Sequence, residues 1–225
     1  MQPDDRWIWT DLALAISVTV LVLALGALAV GAVLGGRSPL VLTMGLAAVE
    51  AVAILLGVGV AWMRRAPEPP ALGLRGVSPR TLAGAVAVGM ACMPLVGFVA
   101  LGVRVLLGGP VDNPQLAAFG DAQMTPGLLA LMVLLVGLIV PVAEELLFRG
   151  LVLDFLRQRY GAGPAILGSS VAFGLVHFEP SIAVGTGVLG VVMGVARLKT
   201  GSLWPAVVIH ATNNTLSAFA MYLTL

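Results

Sequence analysis

Charged side chains are scarce in this chain of 225 residues. Asp, Glu, Lys and Arg make up 10% of it, whereas hydrophobic residues make up 59%. Because an ordinary soluble domain carries roughly 25% charged residues, this composition excludes one and indicates an integral membrane protein. The formal net charge of +1 provides no electrostatic footprint for a nucleic-acid partner, so none is expected.

Cysteine, histidine and lysine are almost absent. The single cysteine, Cys92, excludes an intrachain disulfide and is silent on redox compartment. The two histidines, His177 and His210, both lie in apolar stretches. Lysine occurs once against eleven arginines, which, with the abundance of Ala, Gly, Val and Leu, indicates a GC-rich bacterial genome.

Long hydrophobic runs are what the chain has in quantity. A helix needs about 20 mostly apolar residues to cross a bilayer. The fold class is therefore all-α, a polytopic membrane helix bundle of about seven transmembrane helices, with six to eight as the range. The expected spans are 12–35, 40–62, 82–107, 126–146, 164–178, 181–197 and 203–224. We expect the first to remain as an anchor, because its leader is acidic and its apolar run is too long for a signal peptide.

Basic residues predict the orientation, since short cytoplasmic loops carry an excess of Lys and Arg. They cluster after the second, fourth and sixth spans, whereas acidic residues follow the third and fifth. The pattern predicts a cytoplasmic amino terminus in a plasma membrane, and Arg37 alone dissents. The basic residues are Arg64, Arg65, Arg75, Arg80, Arg157, Arg159, Arg197 and Lys199, and the acidic ones are Asp112, Asp121 and Glu179.

Composition divides the chain near Arg80. Residues 1–80 are expected to form a two-helix membrane unit and a cytoplasmic linker, whose prolines at 67, 69 and 70 cannot continue a helix. Residues 81–225 are expected to form the membrane-embedded catalytic bundle. The small-residue spacings Gly31-x-x-x-Gly35 and Gly190-x-x-x-Gly194 predict close helix packing.

Two adjacent glutamates, Glu144 and Glu145, lie in the fourth apolar run. An ionisable side chain at membrane depth costs on the order of 3 kcal/mol, so each is a hypothesis about function. Glu145 and Arg149 have the spacing of a helical ion pair, which leaves Glu144 about 100° away around the helix. Straight helices would hold Glu144 and His177 roughly 15 Å apart in depth. We therefore expect Pro141 to break the helix, making 143–158 a separate, angled segment.

Two later segments carry polar residues four apart, so that each pair lies on one helix face. Phe173 pairs with His177 in this way, and His210 pairs with Asn214, whereas Asn213 points elsewhere. Amide hydrolysis needs a base to activate water, a donor for the oxyanion and an acid for the leaving nitrogen. A glutamate, two imidazoles and a carboxamide can supply all three.

Three motifs now stand in order on separate spans: E-E-x-x-x-R at 144–149, F-x-x-x-H at 173–177 and H-x-x-x-N at 210–214. Together they resemble the CPBP (or ABI) family of membrane proteases, which includes the type II CAAX prenyl endopeptidases. The resemblance covers residues 126–216. It implies an intramembrane endopeptidase, and the first 80 residues add nothing specific to it.

The resemblance also implies roles for these residues. Glu144, helped by His177, would activate the attacking water, and His210 with Asn214 would stabilise the oxyanion. Glu145 and Arg149 would support the site, and Phe173 would shape its pocket. Family members are often labelled metalloproteases, and Glu144, His177 and His210 can form a zinc site with an open fourth position. The mechanism we favour needs no cofactor.

Other functions stay open from the sequence. A peptide or membrane-protein substrate within the lipid bilayer is expected, of leader or bacteriocin type rather than prenylated, and no oligomeric state is indicated. The alternatives are a non-proteolytic membrane scaffold or regulator, and a proton-coupled transporter, although matched halves typical of transporters are absent. Glu50 is a further membrane-depth carboxylate, either protonated and hydrogen-bonded to a neighbouring helix or lining the same cavity.

Overall fold

A computed structural model describes residues 7–65, 72–109 and 124–224. In these residues the chain forms seven continuous helical stretches and no strand, which confirms the all-α bundle. The predicted leader, the prolines of the linker and the acidic loop around 112–121 lie outside the described residues. The helices are α1 (Trp9–Leu34), α2 (Pro39–Arg65), α3 (Pro79–Leu106), α4 (Pro126–Tyr160), α5 (Ala162–Leu175), α6 (Pro180–Thr200) and α7 (Trp204–Tyr222).

Among the described residues, five helices are long and apolar enough to cross a membrane by length and composition: α1, α2, α3, α4 and α6. Helix α5 is apolar but shorter, and α7 carries His210 and two asparagines. Large apolar side chains are widely exposed around the bundle; Leu28, Phe98 and Leu106 are 72%, 75% and 86% exposed. A protein surface of this kind is suited to lipid, so the chain is a multi-pass membrane protein.

Three of the helices begin at a capping side chain followed by proline. The side chains of Ser78, Thr125 and Glu179 accept the backbone N–H groups of Thr81, Leu128 and Ile182, at 3.2, 3.3 and 2.7 Å. Each cap satisfies an N–H that the first helical turn leaves without a partner. A proline at the first helical position has no N–H to satisfy and its φ is already helical.

Helix α4 is continuous, so the predicted break at Pro141 and the separate segment 143–158 are wrong. Residues 133–139 and 146–152 form π-helical turns on either side of an α-helical stretch, 140–145. In the first of these turns the Val140 N–H bonds to the Leu135 carbonyl, five residues back. The wider turn accommodates a proline ring that would clash with the carbonyl four residues before it in a regular α-helix.

The α4–α5 hairpin brings Glu144 and His177 to the same depth. The turn is at Gly161, whose φ of 83° is in the left-handed region that favours glycine. Glu144 and His177 are equally far along the chain from this turn. Phe148 and Phe173 are likewise equidistant from it, and their ring centroids are 5.2 Å apart. The expected 15 Å separation was wrong because the fourth span was taken to end at 146 instead of 160.

The basic ends of the helices gather at one end of the bundle. Arg159 at the end of α4 donates to the Trp7 carbonyl at 2.8 Å, and Arg64 at the end of α2 lies 3.3 Å from Asp11. Arg197 near the end of α6 pairs with Asp154 of α4 at 2.7 Å. This gathering agrees with the grouping used to predict orientation, while the side of the membrane it faces stays a prediction.

Of the two glycine spacings, one packs as predicted. A Cβ on Gly190 would lie 3.0 Å from Ser170, and one on Gly194 would lie 3.3 Å from Ile166, so both glycines lie against α5. Gly31, by contrast, has no atom of another helix within 4 Å of such a Cβ among the described residues. The prediction for Gly31 and Gly35 is therefore wrong.

Helix α2 packs directly on the part of α4 that carries the glutamates. Ala47, Ala51 and Ile54 share one face of α2 and belong to the same buried cluster as Val140 and Ala143. The division at residue 80 stays a prediction. The structure adds that the amino-terminal unit forms one wall of the region around Glu144.

Candidate active site

Glu145 links two site residues. Its Oε1 accepts from Arg149 Nη1 at 2.9 Å and from His210 Nδ1 at 3.0 Å. All three side chains are buried, with Glu145 and Arg149 fully so. The ion pair expected between Glu145 and Arg149 is present, and it fixes the carboxylate that orients His210.

Glu144 projects to the other side of His210. Its Oε2 lies 3.6 Å from His210 Nε2, and its side chain is 5% exposed. Because the ionised Glu145 carboxylate only accepts, His210 carries a proton on Nδ1. Nε2 is then an acceptor in the neutral ring and a donor only in the imidazolium.

Phe173 places the second histidine next to the first. Its ring centroid is 5.2 Å from that of His177 and 5.5 Å from that of His210, with both contacts edge-on. The Arg149 guanidinium lies 4.5 Å from the same ring, a cation–π distance. Phe173 therefore separates the two imidazoles, which are close enough to interact electrostatically.

His177 lies in the turn after α5, and its tautomer is fixed by the backbone. Its Nδ1 is 2.9 Å from the Phe173 carbonyl, which can only accept, so Nδ1 carries the proton and Nε2 holds a lone pair. The next residue, Phe178, has a φ of 58°, which is unusual for a bulky residue and marks a tightly determined turn. His177 is thus presented as a base.

Asn214 is held by a carbonyl that Pro141 leaves without a donor. In an α-helix the Val136 carbonyl would accept from residue 140, but the Val140 N–H bonds to Leu135 instead. Residue 141, the donor in a π-helical turn, is a proline without an N–H. Asn214 Nδ2 donates to the Val136 carbonyl at 3.1 Å. One kink-forming residue thus positions a side chain on another helix.

Two residues near this network were placed elsewhere or left undecided by sequence reasoning. Asn213 was expected to point away, yet it is buried and its Nδ2 donates to Asn214 Oδ1 at 3.2 Å. Glu50 interacts electrostatically with Glu144 across the contact between α2 and α4. This proximity favours the alternative in which Glu50 lines the site. The signal for it was its position at mid-membrane depth, and no motif contained it.

Comparison with known proteins selects the same stretch of chain. A family model described as "Type II CAAX prenyl endopeptidase Rce1-like" matches residues 126–216. An uncharacterized 24.3 kDa protein of Escherichia coli is 30% identical over 158 residues, which are 67% of this chain and 68% of that protein. The chain belongs to the CPBP family of membrane proteases. No solved structure matches it.

The family model spans every site residue of this CPBP protein described above except Glu50. Glu144, Glu145 and Arg149 come from α4, and Phe173 from α5. His177 comes from the following turn, and His210 and Asn214 from α7. The family resemblance drawn from the three motifs is confirmed, and the structure brings those motifs together around Phe173.

The CPBP label of metalloprotease raises the question of a metal ion. In the described part of the chain, no group of three or more His, Cys, Asp or Glu side chains is placed to hold one. Glu144 and His210 approach at 3.6 Å, but the Nδ1 of His177 is directed to the Phe173 carbonyl. As the side chains stand, they do not fit a three-residue zinc site, and no step below uses one.

Burial divides the site of this CPBP protein into a closed interior and an accessible rim. Glu145, Arg149 and Phe173 are fully buried, and Glu144 is nearly so. Glu50, His177 and Asn214 are half-buried. A substrate can therefore reach the reacting groups only past these three side chains.

Proposed function

We propose that this protein is an intramembrane endopeptidase that hydrolyses a peptide bond of a membrane-associated or leader-type peptide. The observation that carries the proposal is the placement of His210 between Glu145 and Glu144, with Phe173 joining it to His177. This arrangement combines a base, an oriented imidazole and a carboxamide at one place. A scaffold has no physical need for that combination.

In the proposed reaction, Glu144 and His177 activate a water molecule. The Glu144 carboxylate takes a proton from the water as its oxygen attacks the peptide carbonyl carbon, and the lone pair on His177 Nε2 accepts the water's second hydrogen in a hydrogen bond. The carbonyl π bond breaks and its oxygen becomes negatively charged. Glu144 then returns the proton to the amide nitrogen as the C–N bond breaks.

His210 and Asn214 are proposed to stabilise the oxyanion. Asn214 has two N–H groups, and Val136 takes one of them, so the other can donate. His210 donates through Nε2 as an imidazolium, which the Glu145 carboxylate stabilises through Nδ1, as the aspartate of a Ser-His-Asp triad does. Removing one oxyanion donor typically lowers the rate by about 10²–10³-fold.

The proposal includes a location. We propose that the protein spans a bacterial plasma membrane with its amino terminus in the cytoplasm. Support comes from the basic residues that gather at the end of the bundle where α1 begins and α4 ends.

The test compares new protein amino termini in membranes of cells producing the wild type, Glu144→Gln or His177→Gln at equal levels. Both variants keep side-chain size close to that of the original. We expect a set of termini that appears only with the wild type, because both residues act on the same water. Identical termini in all three, with the variants folded, would contradict proteolysis and favour the scaffold or regulator.

A further inference from the structure

Glu50 carries chemistry that the proposed reaction does not use. It lies near the middle of α2, on the side that packs against residues 140–147 of α4. Its carboxylate interacts electrostatically with Glu144. Because it is half-buried while Glu144 is nearly closed off, Glu50 lies on the approach to the water-activating carboxylate.

The other acidic groups of the site have partners, and Glu50 has none. Glu145 is held by Arg149 and His210, and Glu144 faces His210. Glu50 makes no hydrogen bond or ion pair to any residue that the structure describes. The second oxygen of Glu145, Oε2, also lacks a hydrogen-bond partner within the described chain. Acceptors at this site therefore outnumber the donors that the described residues supply.

The charges show the same imbalance. Glu50, Glu144 and Glu145 face a single guanidinium, that of Arg149, which pairs with Glu145. A carboxylate removed from water is costly unless a partner compensates its charge. The described residues offer Glu50 no such partner, so a cationic group that arrives with the substrate would have both a vacant acceptor and a favourable field.

We propose that Glu50 binds a cationic group of the peptide substrate, a Lys or Arg side chain or a free α-amino group, next to the bond that is cut. This inference rests on the proposed function and adds a substrate class to it. A peptide advances by about 3.5 Å per residue. A carboxylate beside Glu144 therefore reads a position within the first few residues on one side of the scissile bond.

The experiment uses the full chain in proteoliposomes and a library of apolar peptides. Lysine, its uncharged analogue norleucine, or glutamate is scanned through the three positions on each side of the bond that the wild type cuts. We expect lysine to be preferred over norleucine at one position by about ten- to a hundredfold in kcat/KM, because a charge-assisted hydrogen bond forms there. The preference should appear mainly in KM.

Variants at Glu50 then assign the preference. Glu50→Gln and Glu50→Met should reduce the lysine-to-norleucine ratio to about one, and Glu50→Asp, which keeps the charge, should retain most of it. Val52→Ala on the exposed face of α2 is the control and should leave the ratio at its wild-type value. Because the readout is a ratio, a general loss of stability does not imitate the effect.

The outcomes separate this inference from the proposed function. If the wild type cuts peptides but prefers no cation at any position, or if the ratio survives both Glu50→Gln and Glu50→Met, Glu50 is not a substrate-binding residue and the endopeptidase still stands. If the wild type cuts no peptide and yields no new termini in cells, both proposals fail. A ratio that falls in both neutral variants and persists in Glu50→Asp supports the assignment.

Discussion

Replacing Gly190 with alanine tests whether close packing of α6 holds the site together. A Cβ at this position would lie 3.0 Å from Arg149 Nη2, 3.0 Å from Ser170 Cβ and 3.1 Å from Ser170 Cα. Such distances are shorter than ordinary van der Waals contact. Arg149 cannot withdraw freely because it is fully buried and bonded to Glu145, and Ser170 Cα belongs to the backbone of α5.

The magnitude follows from two opposed terms. Overpacking a filled interior typically costs about 1–3 kcal/mol. Replacing glycine by alanine within a helix gains about 1 kcal/mol of helix propensity. Gly187, three residues earlier on the same helix, provides the control, because its Cβ would lie 3.7 Å from the Ser170 carbonyl, an ordinary contact. The propensity gain cancels between the two variants, so Gly190→Ala should be less stable than Gly187→Ala by about 1–3 kcal/mol.

The effect on activity should exceed what stability alone explains. A displaced Arg149 would move Glu145, and Glu145 holds His210 through Nδ1. A shift of about 1 Å in a reacting group can cost about 10²-fold in rate. We therefore expect turnover of Gly190→Ala to fall by about 10- to 100-fold at a temperature where it is fully folded.

Two measurements check this prediction. Thermal unfolding in detergent compares the stabilities, and cleavage of an identified peptide in proteoliposomes compares turnover, with Gly187→Ala beside Gly190→Ala in both. A Gly190→Ala protein as stable and as active as Gly187→Ala would refute the claim that Arg149 and α5 leave no room at this position.

Three further predictions follow. Pro141→Ala restores an N–H that competes with Asn214 for the Val136 carbonyl, so turnover should fall by up to about 10²-fold without loss of fold; kinetics with circular dichroism will show it. Gly73→Ala should lower the melting temperature, because Gly73 has a φ of 77° and its Cβ would meet the Arg197 guanidinium; an unchanged melting curve would count against this. Preincubation with EDTA or phenanthroline should leave cleavage unchanged, whereas a loss restored only by added zinc would favour the metal mechanism.

The composition and motifs of the sequence predict the fold class and the family, but the helix ends needed the structure. The fourth apolar run ends at 146 by hydropathy because the polar residues of 153–160 dilute it, yet α4 continues to Tyr160. Those residues remain helical because they pack on other elements. Asp154 pairs with Arg197, and Arg159 donates to the Trp7 carbonyl. Long-range contacts of this kind leave no local signal in the sequence.

Helical spacing predicted which residues share a face of one helix, but not how different helices meet. The pairing of Glu145 with Arg149 follows from a spacing of four residues and is present. The bond from Asn214 to Val136 depends on a carbonyl freed by Pro141 on another helix, so it needs the tertiary arrangement. Proline was read as a helix breaker, whereas here its main consequence is an acceptor made available inside the bundle.

The length of α5 explains how a hydrolytic site can form at membrane depth. At 1.5 Å per residue its 14 residues span about 21 Å, less than the roughly 30 Å of a bilayer core. The turn that bears His177 therefore comes at the level of Glu144, well before α4 reaches its other end. Backbone at this depth that is not helical must be buried in protein or line a water-filled cavity. A short helix thus provides both the placement of His177 and a reason for water, the second reactant, to be present beside Glu144.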